Sequence, residues 1–407
     1  MPRFWVSSPL YARALSSYET LSPTSYPHLH HGVILSGDCQ GNIKTFDAHS
    51  ALSYRSLPKP HSNAVHCITT NDAATLALSN AIDGTVALWD LTPFATAKPP
   101  AESNDDALAA GNASEEPALL PLPVDDPNQL LVATIDSITS HSTPQAKLSE
   151  AWKTALHPTA PLFASVGAGA TISLHSLPSQ ESSGFGTMLA TATLPPSLEN
   201  KKDVFGLSLS FHPSGNHLSV GTNIGQVLLY TLSSDYQLTL VSAYLDHPSP
   251  VRALSFTPNL LLCGSDDRTI TIHDVKPILS PSQHSYPLVG DEERIGGTVA
   301  SLSGHKGCLL ALQAVEGSEG NVFASVGADK SIKFWDLASA TKSTPVWNGG
   351  EVKGVRAFAV QPRWREKVEA KEGEVNGAAA TATSSMTRFV TASEDGRLRW
   401  YRGAGLG

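Results

Sequence analysis

Residues 324–337 read "ASVGADKSIKFWDL". Ala324 to Val326 run into a turn over Gly327 to Lys330, and Ser331 to Leu337 then alternate outward. Period-two alternation with Val, Ile, Phe and Trp is the pattern of a half-buried antiparallel hairpin. The pattern returns along the chain. It is spelled "SGDCQGNIKTFDA" at 36–48, "SNAIDGTVALWDL" at 79–91, "SVGAGATISLHSL" at 165–177 and "VGTNIGQVLLYTL" at 220–232. It continues as "CGSDDRTITIHDV" at 263–275, "SVGADKSIKFWDL" at 325–337 and "ASEDGRLRWYRG" at 392–403. The slot filled by Trp in the fullest copies falls at Phe46, Trp89, His175, Tyr230, His273, Trp335 and Tyr401. Phe46 to Trp89 and Tyr230 to His273 each span 43 residues, and the wider gaps mark insertions into a repeated unit of that size. Seven copies predict one all-β ring over residues 1–407 in place of several separate domains.

Upstream of several hairpins stands another strand with its own signal: "HSNAVHCITT" from 61, "HPSPVRALSFTP" from 247 and "GHKGCLLALQAV" from 304. His61, His247 and His305 each precede an apolar residue by four positions, at Val65, Val251 and Leu309. With these residues the chain resembles the WD-repeat family. The resemblance implies a seven-bladed β-propeller in which a turn His, a strand Ser or Thr, a hairpin Asp and the Trp join in a hydrogen-bonded set. His61, Ser79, Asp83 and Trp89 match that set, as do His305, Ser325, Asp329 and Trp335. The fifth copy keeps His247 and Asp267 but has Cys263 for Ser and His273 for Trp. The first, third and fourth copies put Gln40, Gly169 and Ile224 where Asp is expected. Such sets are structural, since charge-assisted bonds in a poorly solvated site lock loop geometry. A hydrolase reading of the same Ser, His and Asp residues fails on repetition, because catalysis needs one activated constellation with an oxyanion site. No catalytic residue, metal ligand or cofactor is expected.

The chain ends soon after "LRWYR", whereas "RFWVSS" precedes the first copy, so Arg3 to Ser8 are expected to add the outer strand of the last blade and close the ring. The 28 Lys and Arg against 37 Asp and Glu, a formal charge of −9, argue against a general phosphate-binding surface. Cys39, Cys67, Cys263 and Cys308 show no short paired spacing, which favours reduced thiols in cytosol or nucleus over a disulfide or zinc framework. The start lacks a signal-peptide core and no apolar run reaches 18 residues, so an intracellular protein without membrane contact is expected.

Insertions are expected near 97–127, 277–291 and 364–386, the first as a disordered Ala-, Pro- and acid-rich excursion. They are candidates for regulatory or partner contacts, set against the plainer reading of solvated loops. "HLHH" at His28 to His31 reads as a surface loop sooner than a metal site, and "GAGA" at 167–170 reads as a hairpin turn with no phosphate-loop character.

Function is then expected on the ring's surface, at the end where the inner strands begin. Residues following the repeated apolar anchor are His66, Trp152, Arg252, Leu310 and Arg356, with Phe205 close by in the fourth unit. Trp152 leads these partner-binding candidates, since aromatics and Arg dominate binding hot spots. Its competing role is packing between blades, and that of the arginines is pairing with acids. The segments "AWKTALHP", "SPVRALSFTP", "DEERIGG" before "SGHKGC", and the terminal "DGRLRWYRGAG" together are similar to the WD-repeat subunits of the superkiller (Ski) complex. That resemblance implies a noncatalytic scaffold, one propeller within a hetero-oligomer that feeds messenger RNA to the exosome for 3′-to-5′ decay. Its partners would be a helical-repeat (TPR) subunit and an RNA helicase. It also implies a meiotic recombination role through a topoisomerase-like DNA-cleaving protein, and a cytoplasmic and nuclear location. Trp152, Phe205 and Arg252 best match the family's docking patch. The alternatives are another WD-repeat adaptor, serving chromatin, transcription elongation or a ubiquitin ligase, and an enzyme or direct RNA binder.

Overall fold

The computed structural model describes residues 11–15, 33–48, 50–71, 75–96, 119–135, 151–178, 184–196, 203–279, 297–315, 322–337, 344–360 and 388–402. Their strands form seven antiparallel sheets taken in chain order, five of four strands and, at the two ends of the chain, two of three. The inner strands of successive sheets are Tyr11–Leu15, Val65–Thr70, Ala151–Leu156, Gly206–Phe211, Val251–Phe256, Leu309–Ala314 and Val355–Val360. Each packs beside the next, and Val355–Val360 returns to lie against Tyr11–Leu15. The expected closing strand at Arg3 to Ser8 lies outside the described residues, as do His28 to His31.

The sixth sheet shows how the repeated spelling becomes structure. Val322–Gly327 and Ser331–Asp336 pair in the register Phe323 to Trp335 and Ser325 to Lys333. Every second strand buries both faces, which its uninterrupted small and apolar residues allow: Leu162–Gly167, His217–Thr222 and Val322–Gly327 are buried at all six positions. The turn that follows needs one left-handed residue in every sheet. That position is held by Gly41, Gly84, Ala170, Gly225, Arg268, Lys330 and Gly396, with φ between 53° and 91°. Glycine meets this demand without strain, whereas Ala170, Arg268 and Lys330 carry it against their Cβ atoms.

A separate apolar core fills each seam between neighbouring sheets. Phe163 and Leu88 sit between the second and third sheets, Leu218 and Leu174 between the third and fourth, and Leu309 and Ile272 between the fifth and sixth. The last seam joins the end of the chain to its start: Ile34 packs on Ala359 and Val390, and Phe46 meets Trp400 edge to face at 5.8 Å. Each fully buried Leu, Ile or Phe contributes roughly 1.5–3 kcal/mol, so the seams carry the cohesion of the ring.

The insertions differ from the sequence reading at their margins. Residues 97–118 lie outside the described residues, but 119–127 are ordered, contrary to the expected excursion. Ser53 and Tyr54 pair with Phe46 and Thr45 at the edge of the first sheet, and Leu120 exchanges backbone bonds with Ser53 and Arg55 on the outer side of that segment. Leu122 and Val124 then pack on the core shared by the first and second sheets, and Asp126 caps a short 3₁₀ turn at Pro127–Leu130. The alternation of Leu120, Leu122 and Val124 supplies the apolar face that holds this stretch down. The second insertion opens with a helical turn at Lys276–Leu279 that buries Ile278, and residues 280–296 and 361–387 lie outside the described residues.

Candidate functional site

Six of the seven inner strands carry the same irregularity next to their first residue. The register slips between Val65 and Cys67, Ala151 and Lys153, Gly206 and Ser208, Val251 and Ala253, Leu309 and Ala311, and Val355 and Ala357. A bulge leaves one residue unpaired and re-aims its side chain. The bulged residues are His66, Trp152, Leu207, Arg252, Leu310 and Arg356, and each stays partly or fully exposed beside a buried anchor. Five of these are the residues singled out from the sequence. In the fourth sheet the bulge falls on Leu207, two positions beyond the expected Phe205, because Gly206 stands where the other strands have an apolar anchor. Phe205 is fixed differently: Asn223 Oδ1 accepts its backbone N–H at 2.9 Å, and the Asn223 N–H donates to its carbonyl at 3.1 Å.

These residues form a rim at the leading end of the inner strands. Trp152 and Phe205, from the third and fourth sheets, meet edge to face with centroids 5.0 Å apart. Arg252 pairs through Nε with both oxygens of Asp266, at 2.7 and 2.9 Å. Arg356 pairs with Glu394, which occupies the matching position after the neighbouring strand. Burial, with Lys153 and Arg252 nearby, pushes the His66 pKa down to about 4, so its imidazole is neutral at physiological pH. The rim thus has an aromatic sector on the third and fourth sheets and an ion-paired sector on the fifth and seventh.

Beneath the rim run the expected polar sets, and their donor order follows from chemistry. An indole N–H can only donate and a carboxylate can only accept. In the sixth sheet Trp335 Nε1 donates to Ser325 Oγ at 2.8 Å, Ser325 to His305 Nε2 at 2.8 Å, and His305 Nδ1 to Asp329 at 3.0 Å. Burial disfavours the Asp329 carboxylate, but bonds from His305, Ser331 and the Lys306 amide hold it well below the usual range. The second sheet departs from the expected direct His–Asp contact. Trp89 donates to Ser79 and Ser79 to His61, but His61 Nδ1 reaches Thr85 Oγ1 at 2.5 Å, and Thr85 in turn reaches Asp83 at 2.6 Å. The threonine hydroxyl stands between the imidazole and the carboxylate. In the fifth sheet Thr271, cross-strand from Cys263, supplies the missing hydroxyl, bonding His247 Nε2 and His273 Nε2 at 2.9 Å each. His247 Nδ1 then reaches Asp267 at 2.7 Å.

The seventh sheet holds a set the sequence reading missed. Glu351 precedes Val355 by four residues, the offset of the turn histidines, and its buried carboxylate accepts from Thr391 at 2.7 Å and Tyr401 at 2.5 Å. Arg399 bridges Glu351 to Asp395. Burial and the Glu351 bond raise the Tyr401 pKa to about 12.

Two further stretches meet a family description. Residues 238–274 and 296–336 match "WD domain, G-beta repeat". The chain is a β-propeller with WD40 repeats. It is 22% identical over 391 residues, 91% of its length, to "Echinoderm microtubule-associated protein-like 2" of Rattus norvegicus, of which it covers 52%. It is 30% identical over 152 residues to "Ribosome biogenesis protein YTM1" of Saccharomyces cerevisiae, a match covering 35% of this chain and 32% of that protein. It is 29% identical over 163 residues to "Anaphase-promoting complex subunit cdc20" of Dictyostelium discoideum, covering 40% of this chain and 28% of that protein. The chain therefore spans about half or less of the length of these relatives. A WD40 propeller is typically a noncatalytic scaffold for other macromolecules. Among the described residues no group of three or more His, Cys, Asp or Glu is placed to hold a metal ion, and the four cysteines are free thiols.

Proposed function

We propose that the chain is a noncatalytic scaffold subunit of the superkiller complex, docking partners through its leading rim and supporting cytoplasmic 3′-to-5′ messenger RNA decay by the exosome. The observation that carries this reading is the Trp152–Phe205 pair: two large aromatics from adjacent sheets, 5.0 Å apart and open to solvent on one side. Beside it stand Leu207 and the Arg252–Asp266 pair, giving an apolar seat with a directional polar edge. The partners in this reading are a helical-repeat subunit and an RNA helicase in the cytoplasm. A topoisomerase-like DNA-cleaving protein is the meiotic partner in the nucleus. In this reading the seven sheets are the blades of one ring. The formal charge of −9 supports contact with proteins over contact with RNA.

A second reading, a substrate adaptor of a ubiquitin ligase, draws support from the similarity to the anaphase-promoting complex subunit. Affinity purification with mass spectrometry separates the two. The first reading expects a large helical-repeat protein and an RNA helicase, lost from Trp152→Ala at unchanged melting temperature. A ligase scaffold in their place supports the second, and nucleic acid bound without protein partners refutes both.

A further inference from the structure

The trailing rim, where the inner strands end, carries one arrangement on two successive seams. His157 follows the third inner strand, and its Nδ1 accepts the backbone N–H groups of Thr159 at 3.1 Å and Ala160 at 2.8 Å. Its Nε2 donates across the seam to the Gly215 carbonyl of the fourth sheet at 3.0 Å. His212 follows the fourth inner strand, with Nδ1 accepting the Ser214 N–H at 3.1 Å and lying 2.8 Å from Ser214 Oγ. Its Nε2 donates to the Pro258 carbonyl of the fifth sheet at 3.2 Å. A backbone N–H only donates and a carbonyl only accepts, so both rings are neutral with the proton on Nε2. A second proton would have to enter at Nδ1, where backbone donors already point.

The surroundings are built around this neutral form. Each imidazole lies edge to face with a Phe of the next sheet, His157 with Phe211 at 5.0 Å and His212 with Phe256 at 5.2 Å. Gly215 makes room for His157, since a Cβ there would fall 2.4 Å from the ring's Cε1. His212 faces a titratable group, His217, on the strand paired with the fourth inner strand and 6.1 Å away. Burial lowers all three pKa values, opposed for His157 and His212 by their carbonyl bonds and reinforced for His217 by His212. No carboxylate, lysine or arginine among the described residues contributes to these shifts. At the same position the second sheet has Asn71, whose Oδ1 accepts from Thr75 and Leu76, and the fifth has Thr257, whose Oγ1 accepts from Leu260. Closing the loop therefore needs only an acceptor. The imidazole adds a bond to the neighbouring sheet.

We propose that His157 and His212 form a proton-operated latch: protonating them frees the loops at 157–161 and 212–216 and opens the seams between the third, fourth and fifth sheets at the trailing rim. The sign follows from the depressed values. The latch is fully closed above the ordinary histidine value of 6.5, and its contribution is lost as pH falls below it. Each proton taken up on opening shifts the equilibrium by up to about tenfold per pH unit, so two give up to about a hundredfold.

Amide hydrogen exchange on the full chain at about pH 7.5 and about pH 5.5, corrected for intrinsic rates, tests this. Peptides over 157–161 and 212–217 are expected to lose up to about tenfold in protection for each histidine at the lower pH, while Thr75 and Leu76 beside Asn71 keep theirs. His157→Asn combined with His212→Asn keeps an acceptor but removes the reach across the seam, and should abolish the pH dependence of those peptides. An imidazole NMR titration of the unmodified chain gives a reading that does not depend on the variant folding. Equal protection at the two pH values, a variant that keeps the pH dependence, or either imidazole titrating at or above 6.5 overturns the proposal.

Discussion

Ser325→Ala tests the polar sets most sharply. Ser325 is fully buried, and its hydroxyl is the partner of both Trp335 Nε1 and His305 Nε2, each at 2.8 Å. Removing one oxygen leaves almost no cavity but strands a buried indole donor and a buried imidazole nitrogen. Each stranded group costs about 1–3 kcal/mol, so the variant should lose about 2–6 kcal/mol. Urea denaturation followed by Trp fluorescence reads this as a lower midpoint at unchanged slope. Trp335→Phe removes the indole donor itself, so the double variant should lose less than the two single losses combined, by about 0.5–3 kcal/mol. Cys263→Ala is the internal control: in the fifth sheet Thr271 holds the bonds that Ser325 holds in the sixth, so both imidazoles keep their hydroxyl partner when the thiol is removed. A Ser325→Ala cost below about 0.5 kcal/mol, or strict additivity with Trp335→Phe, would refute the reasoning.

Other consequences follow from single positions. Gly225 has φ of 91° and a Cβ there would lie 2.0 Å from the His247 carbonyl oxygen, so Gly225→Ala should cost several kcal/mol and lower the melting temperature by several degrees. Lys330 carries φ of 66° with a Cβ, so Lys330→Gly should be neutral to stabilising by about 1 kcal/mol in urea, the relief of strain being offset by unfolded-chain entropy. Burial lowers the His61 pKa to about 4 against the pull of Asp83, so stability it confers above pH 6.5 is lost as pH falls towards 4. Because other buried histidines titrate in the same window, the quantity to read is the difference between the unmodified chain and His61→Asn, which should change by up to about 3 kcal/mol between pH 6.5 and 4 in a urea-midpoint series. Glu351→Gln should cost about 2–4 kcal/mol by leaving Arg399 with a weaker partner, read as a fall in melting temperature.

The repeated hairpins were legible because each obeys local rules: alternation, one left-handed turn residue and a terminal aromatic. Five of the six bulged residues were legible for the same reason, since each directly follows the apolar anchor of its strand. Leu207 was not, because Gly206 hides the anchor, and Phe205 took its place in the reading. Glu351 escaped because it does the work of a turn histidine with different chemistry, although its offset of four residues from Val355 matches theirs. Thr271 and Thr85 escaped because cross-strand and turn neighbours enter the sets only once the register is fixed. The ordered stretch at 119–127 was masked by its Pro and acid content, while its alternating Leu120, Leu122 and Val124 carried the signal. The latch at His157 and His212 depends on contacts between sheets, which no short window of sequence contains.

Position-specific photo-crosslinking tests the docking face most directly. A photoreactive side chain placed at 152, 207 or 310 on the leading rim, or at 159 or 259 on the trailing rim, is irradiated with the purified partner complex. Adducts to the helical-repeat subunit are expected from the leading positions and none from the trailing ones. Adducts from 159 or 259 with silence at 152 and 207 would contradict this expectation.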